Sequence, residues 1–73
     1  MKNEMMNAIR TALANATKGT LFSTDITVKT IYIPVTKDYN PDKALLALWE
    51  LGEEVLGDAI AHHETYHKII LAL

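Results

Sequence analysis

Residues 40–73 read NPDKALLALWELGEEVLGDAIAHHETYHKIILAL, and how far helix extends through this stretch decides the fold. Asn40 followed by Pro41 is a helix start, because the Asn side chain can accept from first-turn amides and Pro at the first helical position gives up an N–H that has no partner there. Beyond it, Leu45, Trp49, Gly52, Leu56, Ala59, His63, Tyr66, Ile70 and Leu73 recur in alternating steps of four and three. That spacing keeps one seam on one helical face. It predicts helix from 41 to 72, about 48 Å long if unbroken, with Trp49 in the core. Gly57 and Asp58 offer a stop and a new cap. Against a break there, Glu53 and Glu54 would fall in a last turn, where the helix dipole disfavours anions. The sequence leaves one helix or two open.

Upstream, Thr36 to Asn40 is a polar connection. Residues 20–35 are dense in β-branched and aromatic types, which predicts strand. Ile26 and Val28 fall on one parity, whereas Ile31, Ile33 and Val35 fall on the other, so a bulge or turn must intervene. Two strands, about 20–24 and 27–35, joined near Thr24–Asp25, meet this condition, with Pro34 at a sheet edge or strand end. Nearer the N-terminus, Met5, Met6, Ile9, Leu13 and Ala16 recur at helical spacing, with Asn3, Glu4, Asn7, Arg10 and Asn15 opposite. Lys18 suits a helix C-terminus and Gly19 can take the left-handed conformation that stops it, giving a helix over about 3–17.

The expected fold is α+β in a single domain over 1–73: an N-terminal helix, a short antiparallel β unit, and a long or broken C-terminal helix (α-β-β-α or α-β-β-α-α). Two strands alone are marginal. Hydrophobic residues make up 49% of only 73, more than so small a body readily hides. A homodimer or higher oligomer is therefore expected, through a continued sheet or paired helices.

The chain has no cysteine, so disulfides and thiolate metal sites are excluded, which suits a cytoplasmic location. No apolar run approaches the roughly 20 residues of a membrane span, and the first residues lack the apolar region of a secretory signal. Net charge is −2, and the seven basic residues are scattered, so no basic stripe predicts direct nucleic-acid binding.

The loudest chemical motif is His63-Glu64-Thr65-Tyr66-His67. On a helix, His at i and i+4 can hold one zinc ion, with the Glu as general base. These five residues resemble the zinc metalloprotease signature. Only residues 68–73 follow, too few to supply the third ligand that the resemblance implies, so a peptidase is not expected. A zinc site on His63 and His67, completed across a symmetric assembly, is the alternative to two interface histidines held by hydrogen bonds. His62 is expected to pair with Asp58 on the surface.

Glu50, Glu53, Glu54 and Asp58 form an acidic row on the predicted helix, and Tyr32 points away from Ile31 and Ile33. With no catalytic constellation in view, the expected function is non-enzymatic protein binding without a cofactor, of the kind performed by small viral or phage-type inhibitors that block a host protein. Glu50, Glu53 and Glu54 would steer the partner and Tyr32 would anchor it.

Overall fold

The computed structural model describes residues 3–20, 22–25, 29–61 and 63–72. Helix α1 spans Asn3–Thr17, as its spacing predicts, and buries Ile9, Leu13 and Ala16. Its end is a left-handed turn. Lys18 (φ 53) and Gly19 (φ 81) both have positive φ, and the Gly19 N–H returns to the Ala14 carbonyl, closing the helix in a Schellman arrangement.

Strands β1 (Ser23–Asp25) and β2 (Thr30–Pro34) pair antiparallel. The expected two-strand unit is present, with Pro34 at the strand end, but Thr24 and Asp25, expected at the junction, belong to β1 and pair with Ile31 and Thr30, so the connection lies beyond them. Ile26 and Val28, whose parity raised the question of a turn, lie outside the described residues, as do His62 and the Met6 side chain.

Helix α2, Pro41–Glu50, starts as its sequence predicts, with the Asn40 side chain accepting from the Lys43 N–H at 3.2 Å. It then stops, and the long or broken C-terminal helix gives way to strands. Gly52 takes φ 93, its N–H bonds to the Trp49 carbonyl, and the Glu53 N–H bonds to the Leu48 carbonyl. Those two bonds satisfy carbonyls at the helix end, and glycine supplies the conformation at no steric cost. The residue read as one rung of a seam is therefore the helix terminator.

After this turn the chain forms β3 (Val55–Ala61) and β4 (Tyr66–Leu71). The antiparallel sheet has the order β1-β2-β4-β3, so β4 inserts between β2 and β3. Cross-strand partners share a face. Ile31 opposite Ile69 and Ile33 opposite His67 put all four side chains on the face that both helices cover. With Leu71 they alternate along β2 and β4 at period two and are buried. Tyr32, Tyr66, Lys68 and Ile70 occupy the other face. Leu56 is the extra residue of a bulge between Val55 and Gly57 and is 63% exposed. Trp49, expected in the core, is 59% exposed. Among the described residues no helix is long and apolar enough to cross a membrane.

The β3–β4 turn carries His63 (φ 59) and Glu64 (φ 67). Two consecutive left-handed residues are what an Asn-Gly turn accommodates most cheaply, and side chains with a Cβ are strained there. Replacing both, His63→Asn with Glu64→Gly, is expected to raise stability by about 1 kcal/mol. The readout is a higher urea midpoint at unchanged slope; a lower midpoint would contradict this turn.

Candidate functional site

His67 lies on β4 in phase with Ile69 and Leu71, so the strand that buries those two also buries an imidazole, at 0% exposure. An imidazole there must find partners. Its Nδ1 meets the hydroxyl of Tyr39, in the lead-in to α2, and its Nε2 stands 2.7 Å from Asp58 Oδ2 on β3. Burial, with a smaller contribution from the Asp58 charge, raises the Tyr39 pKa above the usual phenol value. The neutral phenol O–H therefore donates to Nδ1, which places the ring proton on Nε2, and Nε2–H donates to the Asp58 carboxylate. Both ring nitrogens and the Tyr39 hydroxyl are engaged in this assignment, and no buried side-chain polar atom among the described residues lacks a partner.

The triad joins three elements. It ties the start of α2 to an inner strand and an edge strand. Both Tyr39 and His67 are buried, and only the Asp58 carboxylate, 39% exposed, reaches solvent. The arrangement suits structural fastening; the reactive atoms of Tyr39 and His67 face each other inside the protein.

A pH dependence follows. The folded chain keeps the Tyr39 proton at pH values where the unfolded chain releases it. The unfolded state then binds fewer protons, and stability falls as pH rises above about 10. The slope from this group is at most about 1.4 kcal/mol per pH unit. Urea midpoints between pH 8 and 11 should show the decline, and Tyr39→Phe should flatten it. An equal decline in both proteins would assign the effect elsewhere.

The sequence-predicted site residues do not form one surface. His63 lies in the exposed β3–β4 turn and His67 in the buried triad, so the H-E-x-x-H motif crosses a turn into a strand and lacks the helical face that would aim both rings at one ion. Among the described residues no group of three or more metal-ligating side chains is gathered. The acidic row is dispersed too. Glu50 ends α2, Glu54 is exposed in the following loop, and Asp58 serves the triad. Glu53 is withdrawn from solvent and paired with Lys29 at 3.3 Å. Tyr32 is half-buried on the sheet face opposite the helices.

Two exposed surfaces of α2 replace that row. Ala44 and Leu48 are buried. Lys43, Leu46, Ala47 and Glu50 line a groove of about 440 Å³ whose other wall is Ala12, Asn15, Ala16 and Lys18 of the α1 side. At 100° per residue, the remaining flank carries exposed Trp49 beside half-buried Leu45, away from α1. Strand β3, which α2 contacts, adds exposed Leu56 and Ile60 (46%) at the sheet edge. Sequence reasoning missed Leu56 and Trp49 as surface residues because it took both for seam positions. It missed Tyr39 and Asp58 because their meeting with His67 depends on the sheet order. The available signal was the period-two run His67, Ile69, Leu71, which places a histidine in a core phase. No family model, curated protein or solved structure matches the chain.

Proposed function

We propose that the protein is a non-enzymatic protein-binding module whose contact surface joins the Trp49 flank of α2 to the edge strand β3. The observation that carries this reading is Trp49, 59% exposed on a regular helix. A tryptophan offers a large, rigid contact area, and such residues dominate the energetics of protein interfaces when they enter a partner's pocket. Leu56 at 63% and Ile60 at 46% exposure add apolar side chains on β3, the strand that α2 contacts. Glu54, exposed between Trp49 and Leu56 in the chain, supplies negative charge beside it, which raises association rate with a basic partner. Glu53 and Tyr32 fall outside this surface. A small inhibitor that covers a larger protein's working surface is the mode of action it suits.

The test is a photo-crosslinking residue at position 56 in producing cells. A single discrete adduct is expected. It should disappear with Trp49→Ser, whose fold by circular dichroism stays unchanged, and persist with Tyr32→Ala. Affinity for the identified partner should fall at least roughly 30-fold with Trp49→Ser. No adduct, or an adduct indifferent to Trp49→Ser, would remove this surface from consideration.

A further inference from the structure

The opposite flank of α2 has a property that binding through Trp49 does not use. Lys43, Leu46, Ala47 and Glu50 stand at i, i+3, i+4 and i+7, one strip along one face, and all four line the groove against α1. The floor is small: Ala12, Ala16 and Ala47. Leu46, 51% exposed, stands beside it. A projecting side chain and a shallow receptor thus lie side by side on one surface. A two-fold axis brings such a pair together with its own copy, since each subunit then offers the knob to the other's hollow.

The charges obey the same symmetry. Two copies of α2 packed antiparallel about an axis between Leu46 and Ala47 bring Lys43 of each opposite Glu50 of the other. Lys18 strengthens the arrangement. The Asn40 N–H bonds to the Ala16 carbonyl, which sets the end of α1 beside the start of α2, so Lys18 and Lys43 share one end of the groove and Glu50 marks the other. Among the described residues the ion pairs within the chain are Lys29–Glu53 and His67–Asp58; Lys43 and Glu50 form none and are exposed.

Helix physics makes these two placements costly for the chain alone. Lys43 is the third residue of α2 and Glu50 its last, so a cation sits at the positive end of the dipole and an anion at the negative end. Each placement opposes the local preference, and pairing across an antiparallel helix dimer offsets both. We propose that the protein forms a two-fold symmetric dimer through the α1–α2 groove, with Leu46 of each copy in the other's alanine-floored hollow and reciprocal Lys43–Glu50 pairs. The Trp49 flank points away from this interface, so dimerisation leaves it open to a different partner.

Sedimentation equilibrium on the full chain, from low to high micromolar concentration at low salt, is the deciding experiment. The wild type is expected to approach twice the 8.1 kDa chain mass. Lys43→Glu alone and Glu50→Lys alone should each weaken dimerisation at least roughly tenfold, because each sets like charges against each other twice. The double variant Lys43→Glu/Glu50→Lys should restore it. Neither single reversal threatens the fold, since both bring the helix ends into line with the dipole. Leu46→Ser should dissociate the dimer without affecting circular dichroism. A wild-type monomer throughout, a dimer indifferent to Leu46→Ser and the single reversals, or a double variant that stays monomeric would each overturn the proposal. None of these outcomes bears on the Trp49-dependent adduct, so the two readings fail separately.

Discussion

His67→Ala is expected to remove a large share of the protein's stability. His67 is fully buried and joins Tyr39 to Asp58. Removing the ring opens a cavity and takes from the buried Tyr39 hydroxyl its hydrogen-bond acceptor. Together these cost about 3–5 kcal/mol. The whole stability of a 73-residue domain is on the order of 4–11 kcal/mol. The companion variant Tyr39→Phe/His67→Leu should recover much of the loss, since deleting both buried partners leaves no stranded donor or acceptor between them. Asp58, partly hydrated already, can turn to solvent. Urea unfolding followed by circular dichroism measures both. His67→Ala within about 1 kcal/mol of wild type would mean that the ring is not held in the interior.

The second large effect separates strand from helix in the C-terminal half. Leu48→Ala is expected to cost about 3 kcal/mol, because Leu48 is fully buried in the cluster with Ile9, Leu13, Ile31, Ile69 and Leu71. Leu56→Asp is expected to change stability by less than about 0.5 kcal/mol, because Leu56 is the bulged residue of β3 and its side chain stands in water. A helical seam through Leu45, Trp49 and Leu56 demands the reverse ranking of those two substitutions. Comparing their urea midpoints therefore tests the fold itself. A severe Leu56→Asp defect would reinstate the helix.

The contrast shows which signals in the sequence were physical and which were coincidental. Helix α1 and the start of α2 were legible because local rules govern them: an apolar stripe, a positive-φ stop at Lys18–Gly19, and an Asn cap before Pro41. The end of α2 was legible in principle, since Gly52 follows Leu51 where a helix would stop. It was overlooked because the four-three rhythm ran through it. That rhythm had no packing behind it. Trp49, Leu56, Ala59 and His63 are exposed, and the buried residues of β4 follow period two. Strand β4 reads as helix or strand by periodicity alone, and the choice is made by β2, whose partners lie more than thirty positions away in the register Ile33–His67. The triad was hidden for the same reason. His67 drew notice for a spacing to His63 that only a helix would make meaningful, while its actual partners, Tyr39 and Asp58, are joined by tertiary structure. Of the acidic residues, Glu53 was lost to Lys29, a pairing across twenty-four positions that no local pattern announces.

Insertion of β4 between β2 and β3 bears on the order in which the molecule can be assembled during synthesis. The ribosome releases the outer strand β3 before the inner strand β4. Until residues 66–71 have emerged, β2 lacks its inner neighbour, β3 has no strand at all, and Tyr39 waits for the imidazole that satisfies it. Folding of the sheet is consequently closed by β4 in a single non-local step, and such steps are slow relative to helix formation. During that interval the nascent chain exposes Ile31 and Ile33 on an unpaired strand. A chaperone that shields short apolar strands therefore has its period of greatest effect before residues 66–71 are free to pair with β2 and β3.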